Sequence, residues 1–438
     1  MTNQSVSIQP GRIRRRERDA IVASLRAGMV PRVGQQHIQV GRAAEVQAAA
    51  QDIDRIAGGG AGCRFIIGEY GSGKTFFLNL VRSVALEKRL VTVHADLSPD
   101  RRLYAGSGQA RSLYTELMRN LATRARPDGG ALASVVERFV TRALDEANAS
   151  GDDPADTIRS RLAALAELTG GYDFAAVVGT YWRGYDSGDE RLRADAVRWL
   201  RGEFTSRVDA RAALGVRTII DDATFYDHLK LMARFVRLAG FTGLLVCLDE
   251  MVNLYKITGS AVRSANYEQV LRIVNDATQG SAEHIGFLFG GTPEFPMDPR
   301  RGLFSYPALA SRLAPNRFAS ADRVDHSGPV VRLGNLMPED IFVLLTRLRH
   351  VYADGDPARY LVPDETLTAY MAHCAARLGD AYFRTPRETI RGFLDLLALL
   401  EQHPDLHWSE LVRAVDLAAP AGPEPTTIDD DELTRFRL

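Results

Sequence analysis

The sequence predicts an α/β fold in which a parallel sheet is flanked by helices, carries a large helical insertion and is followed by a C-terminal helical lid. Three observations point there. Short apolar runs at residues 63–67, 90–95, 244–248, 285–289 and 330–333 are separated by helical stretches, the pattern of strands covered on both faces. The first run leads directly into Gly68-Glu69-Tyr70-Gly71-Ser72-Gly73-Lys74-Thr75 and then into a helix. The third ends in two adjacent carboxylates, Asp249 and Glu250.

Composition agrees with a globular chain. Of 438 residues, 45% are hydrophobic, and 54 basic side chains face 55 acidic ones for a net charge of −1. At about 150 residues per domain this length suggests two to three structural units. Near-neutrality removes the strongly basic balance of a dedicated nucleic-acid binder and leaves room only for a limited basic patch. Lys74, Lys88, Lys230 and Lys256 are the only lysines, and all other basic residues are arginine. Cys63, Cys247 and Cys374 form no CxxC pair, which argues against a disulfide framework and a zinc site. The N-terminus lacks a signal-peptide core and no run reaches the ~20 apolar residues of a membrane span, so a cytoplasmic protein without membrane contact is expected.

Residues 1–36 are expected to form an N-terminal arm with an amphipathic helix at 14–26. Its cluster Arg12, Arg14, Arg15, Arg16 and Arg18 suits phosphate or an acidic partner, although a solvated helix face is the commoner outcome. A core domain is expected at 37–335, beginning with a helix at 43–56 and a flexible break at 58–62. The first strand, the glycine-rich stretch, a helix at 76–86 and the second strand follow. The next strand starts only at 244, too far for one crossover. Helical patterns at 111–123, 132–147, 158–168, 192–204 and 226–238 fill the gap, and most of it is taken as an insertion at 100–215. Helices at 338–352, 364–378 and 386–400 make a lid at 336–401. The tail at 402–438 holds one more short helix from 408 and a Pro- and Asp-rich end.

The segment from Gly68 to Thr75 fits G-x-x-x-x-G-K-[ST] in its required strand-to-helix setting. Glycines let backbone N–H groups converge on phosphates, and the next helix adds the positive end of its dipole. Lys74 would contact phosphate oxygens, and the Thr75 hydroxyl would ligate Mg²⁺. Such a P-loop needs an acidic partner at the end of a neighbouring strand. Asp249 would hold Mg²⁺ through water and Glu250 would polarise the attacking water; the plainer alternative is that both cap the next helix. Thr292, at the end of the following strand, is a candidate sensing hydroxyl or a simple N-cap. Arg312, with Arg317 as competitor, is a candidate for a finger reaching a neighbouring subunit's nucleotide. Arg387, with Arg384 as competitor, opens a C-terminal helix that would report hydrolysis as a lid movement. His403 and His407 are four apart, but Pro404 argues against a shared ligand face.

This motif order resembles the initiator-like branch of the AAA+ superfamily. Val40-Gly41-Arg42-Ala43-Ala44-Glu45 is similar to the box that borders the adenine pocket there, which extends the expected nucleotide contacts to Gly41, Arg42 and Phe76. Asp249-Glu250, Thr292, Arg312 and Arg387 fall where that superfamily has Walker B, sensor 1, arginine finger and sensor 2. Ala27-Gly28-Met29-Val30-Pro31, the Gly68–Leu78 stretch and Ala239-Gly240-Phe241-Thr242-Gly243-Leu244 narrow the resemblance to the BREX-type ATP-binding proteins of bacterial phage defence, the BrxD-like group. The resemblance implies an ATP- and Mg²⁺-dependent ATPase of a defence system, working as a homo-oligomer beside a helicase or another defence protein. DNA would be met through a partner or a limited basic patch, because no C-terminal winged helix of the initiator kind is expected. A nucleotide-gated scaffold with slow turnover and a DNA-tracking motor are the alternatives.

Overall fold

The computed structural model describes residues 12–104, 106–320, 323–378 and 386–414. Arg384 and the Pro- and Asp-rich end lie outside them. The chain divides into two compact units, Gly41–Gly334 and Met1–Val40 with Asn335–Leu438. The first helix, α1 (Arg15–Arg26), belongs to the smaller unit.

The larger unit is built on five parallel strands, β1 (Ala61–Gly68), β2 (Val91–Asp96), β3 (Leu244–Asp249), β4 (Ile285–Gly291) and β5 (Val330–Leu333), in the order β2-β3-β4-β1-β5. Alternation along each strand divides the core in two. Leu244, Val246 and Leu248 face one side with Ile285, Phe287, Phe289, Phe65 and Ile67, whereas Leu245, Cys247, Leu288 and Ile66 face the other. The second face is covered by α2 (Ala43–Ala57) and α3 (Lys74–Glu87), through Ile53, Phe77 and Val81 among others. On the first, Phe65 stacks on Phe289 at 4.8 Å between ring centroids and Phe289 on Phe287 at 6.1 Å. Burying each such ring contributes about 1.5–3 kcal/mol.

Between β2 and β3 run α4 (Gln109–Arg119), α5 (Leu132–Ser150), α6 (Pro154–Ala166), α7 (Gly171–Ser187), α8 (Glu190–Leu200), α9 (Arg207–Leu214) and α10 (Phe225–Leu238), whose apolar faces join the first core. Helix α4 ends four residues before the periodicity suggested. Thr92 and Ala122 exchange backbone hydrogen bonds of 3.0 and 2.8 Å, so the chain leaves the helix to pair with the exposed edge of β2. Helix α7 was not anticipated. Its three glycines and its β-branched and aromatic residues are poor helix formers, and burial of Phe174, Val177, Val178 and Tyr181 overrides that preference. The unit is completed by α11 (Val252–Tyr255), α12 (Ser260–Gln279), α13 (Glu294–Met297) and α14 (Pro307–Arg312).

In the smaller unit α1 packs with α15 (Pro338–Tyr352) and α17 (Pro386–Gln402), alongside α16 (Asp364–Leu378) and α18 (Trp408–Ala414). Arg18 donates to the Tyr352 carbonyl at 2.9 Å and lies 3.4 Å from Glu401, while Arg26 pairs with Asp395 at 2.7 Å. Among the described residues no helix is long and apolar enough to cross a membrane.

Candidate nucleotide site at the carboxyl edge of the sheet

The ends of β1, β4 and β3 lie side by side at the edge where open parallel sheets take their ligands. From the end of β1 the chain turns through Gly68–Gly73 into α3. Gly71 and Gly73 adopt φ of 84° and 85°, which an L side chain would strain, and Gly73 caps α3 in that conformation. The first N–H groups of α3 have no partners within the helix and carry its positive dipole end. Lys74 Nζ donates to the carbonyl oxygens of Gly68 and Glu69, both at 2.9 Å. Burial pushes its pKa down, while Asp249, Glu250, Glu69 and Glu294 oppose that shift. Ser72 Oγ is buried with no hydrogen-bond partner among the described residues. Glu69 and Tyr70 are exposed on the turn, and Phe76 is half-buried in the first turn of α3.

Thr75 Oγ1 donates to Asp249 Oδ2 at 2.9 Å, which joins the start of α3 to the end of β3. The other Asp249 oxygen accepts the Glu250 backbone N–H at 2.8 Å. Glu250 sits at φ 59°, a costly conformation for a residue with a side chain. Its carboxylate has no hydrogen-bond or ion-pair partner among the described residues. Burial raises its pKa first, Asp249 and Asp96 add to the rise, and Lys74 and Lys256 counter it.

Arg42, also at positive φ (57°), caps α2 and donates through Nη2 to the Ser72 carbonyl at 2.7 Å and to the Gly334 carbonyl at 2.8 Å. The guanidinium therefore ties the glycine turn to the segment after β5. Gly41, beside it, is exposed at φ 60°. Thr292 follows β4, and its hydroxyl is buried with no partner, so it does not act as an N-cap. Arg312 is exposed on α14, where it donates to Asn275 and to the Ala308 carbonyl. Arg317 is exposed and makes no hydrogen bond or ion pair among the described residues. Arg387 lies on α17 in the smaller unit, its stem so close to Gly28 that a methyl there would sit 3.2 Å from Cδ. His407 bonds the Ser409 hydroxyl at 2.8 Å, and no group of three or more His, Cys, Asp or Glu among the described residues converges as a metal cage.

Three neighbours escaped the sequence reading. Asp96 ends β2 opposite Asp249, and burial together with Asp249 raises its pKa. Its signal was its place one residue beyond an apolar strand. Glu294, at the start of α13, contributes to the field at Lys74. Gly290 on β4 leaves the space that Asp249 occupies, since a methyl there would run into Asp249 Oδ1 and come within 2.9 Å of Leu78 Cδ1.

The oxygen donors offered by Thr75 and Asp249 suit a hard cation whose other ligands are water or phosphate, and the Ser72 hydroxyl and the N–H groups at the start of α3 suit phosphate. No curated protein matches the chain. The family model of the BREX system ATP-binding protein BrxC/D matches residues 13–416. With that match spanning both units and taking in the Gly68–Thr75 turn, the chain belongs to the BrxC/BrxD family and is an ATP-binding component of a BREX anti-phage defence system.

Proposed function

We propose that the chain hydrolyses ATP with Mg²⁺ at this edge, and that its nucleotide state drives assembly or remodelling of the cytoplasmic BREX defence complex. The observation that carries the reading is the Thr75–Asp249 hydrogen bond with an unpartnered carboxylate, Glu250, at the next position. Lys74 would exchange its two carbonyl acceptors for phosphate oxygens, and the N–H groups of the turn would hold the chain of phosphates. Thr75 directly and Asp249 through water would hold Mg²⁺, which supplies neutralisation of the phosphate charge when bound. Glu250 accepts a proton from the water whose oxygen bonds to the γ-phosphorus, while the bridging oxygen leaves with ADP. Burial and two neighbouring carboxylates make Glu250 a better proton acceptor than an ordinary glutamate.

Steady-state phosphate release tests this. Loss of a general base costs about 10²–10⁴ in rate, so Glu250→Gln should lose that much while keeping ATP. Lys74→Ala should lose both. Activity within about twofold of wild type in both variants would overturn the assignment, since a residue in either role is worth far more.

A homo-oligomer would bring an arginine of one copy to the nucleotide of the next. Engagement of Arg312 by Asn275 favours Arg317 for that role. The acting residue is the one whose alanine variant loses hydrolysis, keeps ATP binding and regains activity when mixed with Lys74→Ala subunits; full activity of both alanine variants would exclude the shared site. Arg387 is proposed to sense nucleotide from the lid.

A further inference from the structure

Beyond the end of β2, the larger unit has an open cleft of about 570 Å³ between α4 and the end of α8, and two of its residues, Arg101 and Glu116, act electrostatically on Asp96. Its walls carry Arg101, Arg111, Arg119 and Arg198 against only Glu116 and Glu203. One face of α4 supplies Arg111, Ser112, Thr115, Glu116 and Arg119, a spacing that keeps all five side chains on the same side over two turns. Arg101 enters from a tight turn after β2, where Ser98 and Arg101 exchange backbone hydrogen bonds of 3.1 Å.

One of the four guanidiniums lacks a carboxylate partner among the described residues, and each of the other three has one. The Arg111 guanidinium has no hydrogen-bond or ion-pair partner among the described residues. Arg101 is 3.7 Å from Glu116, and its Nε is buried without any partner. Among the described residues Arg119 holds only Glu203, at 3.2 Å. Arg198 reaches Asp195 at 2.8 Å and lies 4.7 Å over the Phe204 ring. Two glutamates already offer the carboxylates this cleft can use. A ligand that improves on them must bring more acceptor oxygens and more charge, which is the chemistry of phosphate meeting guanidinium forks.

We propose that this cleft is a second anion site, separate from the P-loop, that takes consecutive phosphate groups. They come from a nucleic-acid strand or from a free polyphosphate. The chain's neutral total charge is no obstacle, because the basic residues are concentrated locally. Arg111 and Arg119, two helical turns apart on α4, grip successive phosphates, and the Ser112 hydroxyl donates between them.

The test is fluorescence anisotropy of a labelled oligothymidylate, with inorganic tripolyphosphate followed by calorimetry in parallel. Lys74→Ala is carried in every arm so that the P-loop contributes nothing. Replacing both Arg111 and Arg119 by alanine should weaken binding by at least about tenfold and flatten its salt dependence. Arg111→Lys with Arg119→Lys should keep part of it. Replacement of Arg159 and Arg191 by alanine, which removes exposed charge from α6 and α8 outside the cleft, should leave it unchanged. Melting temperature is recorded for each variant to separate lost binding from lost fold. Tripolyphosphate binding that depends on the same arginines, without oligonucleotide binding, assigns the site to free polyphosphate. If neither ligand depends on Arg111 and Arg119, or the Arg159 and Arg191 control loses as much, the proposal is wrong.

Discussion

At the end of β1 the chain supplies hydrogen-bond donors and one ammonium, whereas at the ends of β2 and β3 it supplies three carboxylates, Asp96, Asp249 and Glu250. The two regions are organised differently. On the phosphate side Lys74 already has two carbonyl acceptors and Arg42 two more, so the turn is held by bonds the folded chain itself needs. On the acid side Glu250 is in a costly backbone conformation, has no partner for its carboxylate and is crowded by like charge. Folding gains nothing from that arrangement. A region that works against stability in this way is explained by what it does, and one held mostly by satisfied bonds is explained equally well by structure.

The contrast is broken most severely by filling the space beside Asp249. Gly290→Ala would push the carboxylate away from Thr75, and misplacement of about 1 Å costs roughly 10²-fold in rate. Overpacking should also cost about 1–3 kcal/mol of stability. Normal phosphate release and an unchanged melting point in this variant would mean that the gap does not position Asp249.

A smaller effect sharpens the acid side. Because the Glu250 pKa is raised, Glu250 takes up its proton at higher pH than an ordinary glutamate, so hydrolysis should fall early as the medium is acidified. Asp96→Asn removes one like charge, lowers that pKa and should move the acid limb of the pH–rate profile to lower pH. An unmoved limb would show that Asp96 and Glu250 do not communicate.

The smallest expected effect concerns stability. A carboxyl whose pKa is raised by folding favours the folded state while protonated, and that advantage is lost as pH rises through the folded value. Glu250→Gln should therefore melt higher than wild type at neutral pH, with the difference vanishing in acid where Glu250 is already protonated. Identical melting curves at every pH would remove the picture of a carboxylate held against its preference.

Much of this edge is legible in the sequence because it depends on local order. The positive φ of Gly71 and Gly73, the helix that follows the turn and the delivery of Asp249 at a strand end all follow from residues within one strand–turn–helix or one strand, although α3 starts at Lys74, two residues before the expected 76. What is not legible depends on neighbours remote in the chain. Asp96 gains its meaning only from pairing opposite Asp249, Gly290 only from lying beside it, and Arg42 only from reaching Ser72 and Gly334. Helix α7 was hidden for a related reason, since its poor intrinsic propensity is overruled by a core assembled from other helices.

The partly desolvated ammonium of Lys74 also has a chemical consequence. Lys88 is held by Asp54, and Lys230 by Asp227 and Asp276, so two of the four lysines are engaged in ion pairs. Lys74 is pushed toward its neutral form by burial and holds a larger nucleophilic fraction than a solvated lysine. An acylating reagent at mildly alkaline pH would meet few competing amines on a chain whose other basic residues are arginine. Mass spectrometry of one peptide would then report on the turn, and shielding of that amine by added ATP would follow occupancy in the intact protein.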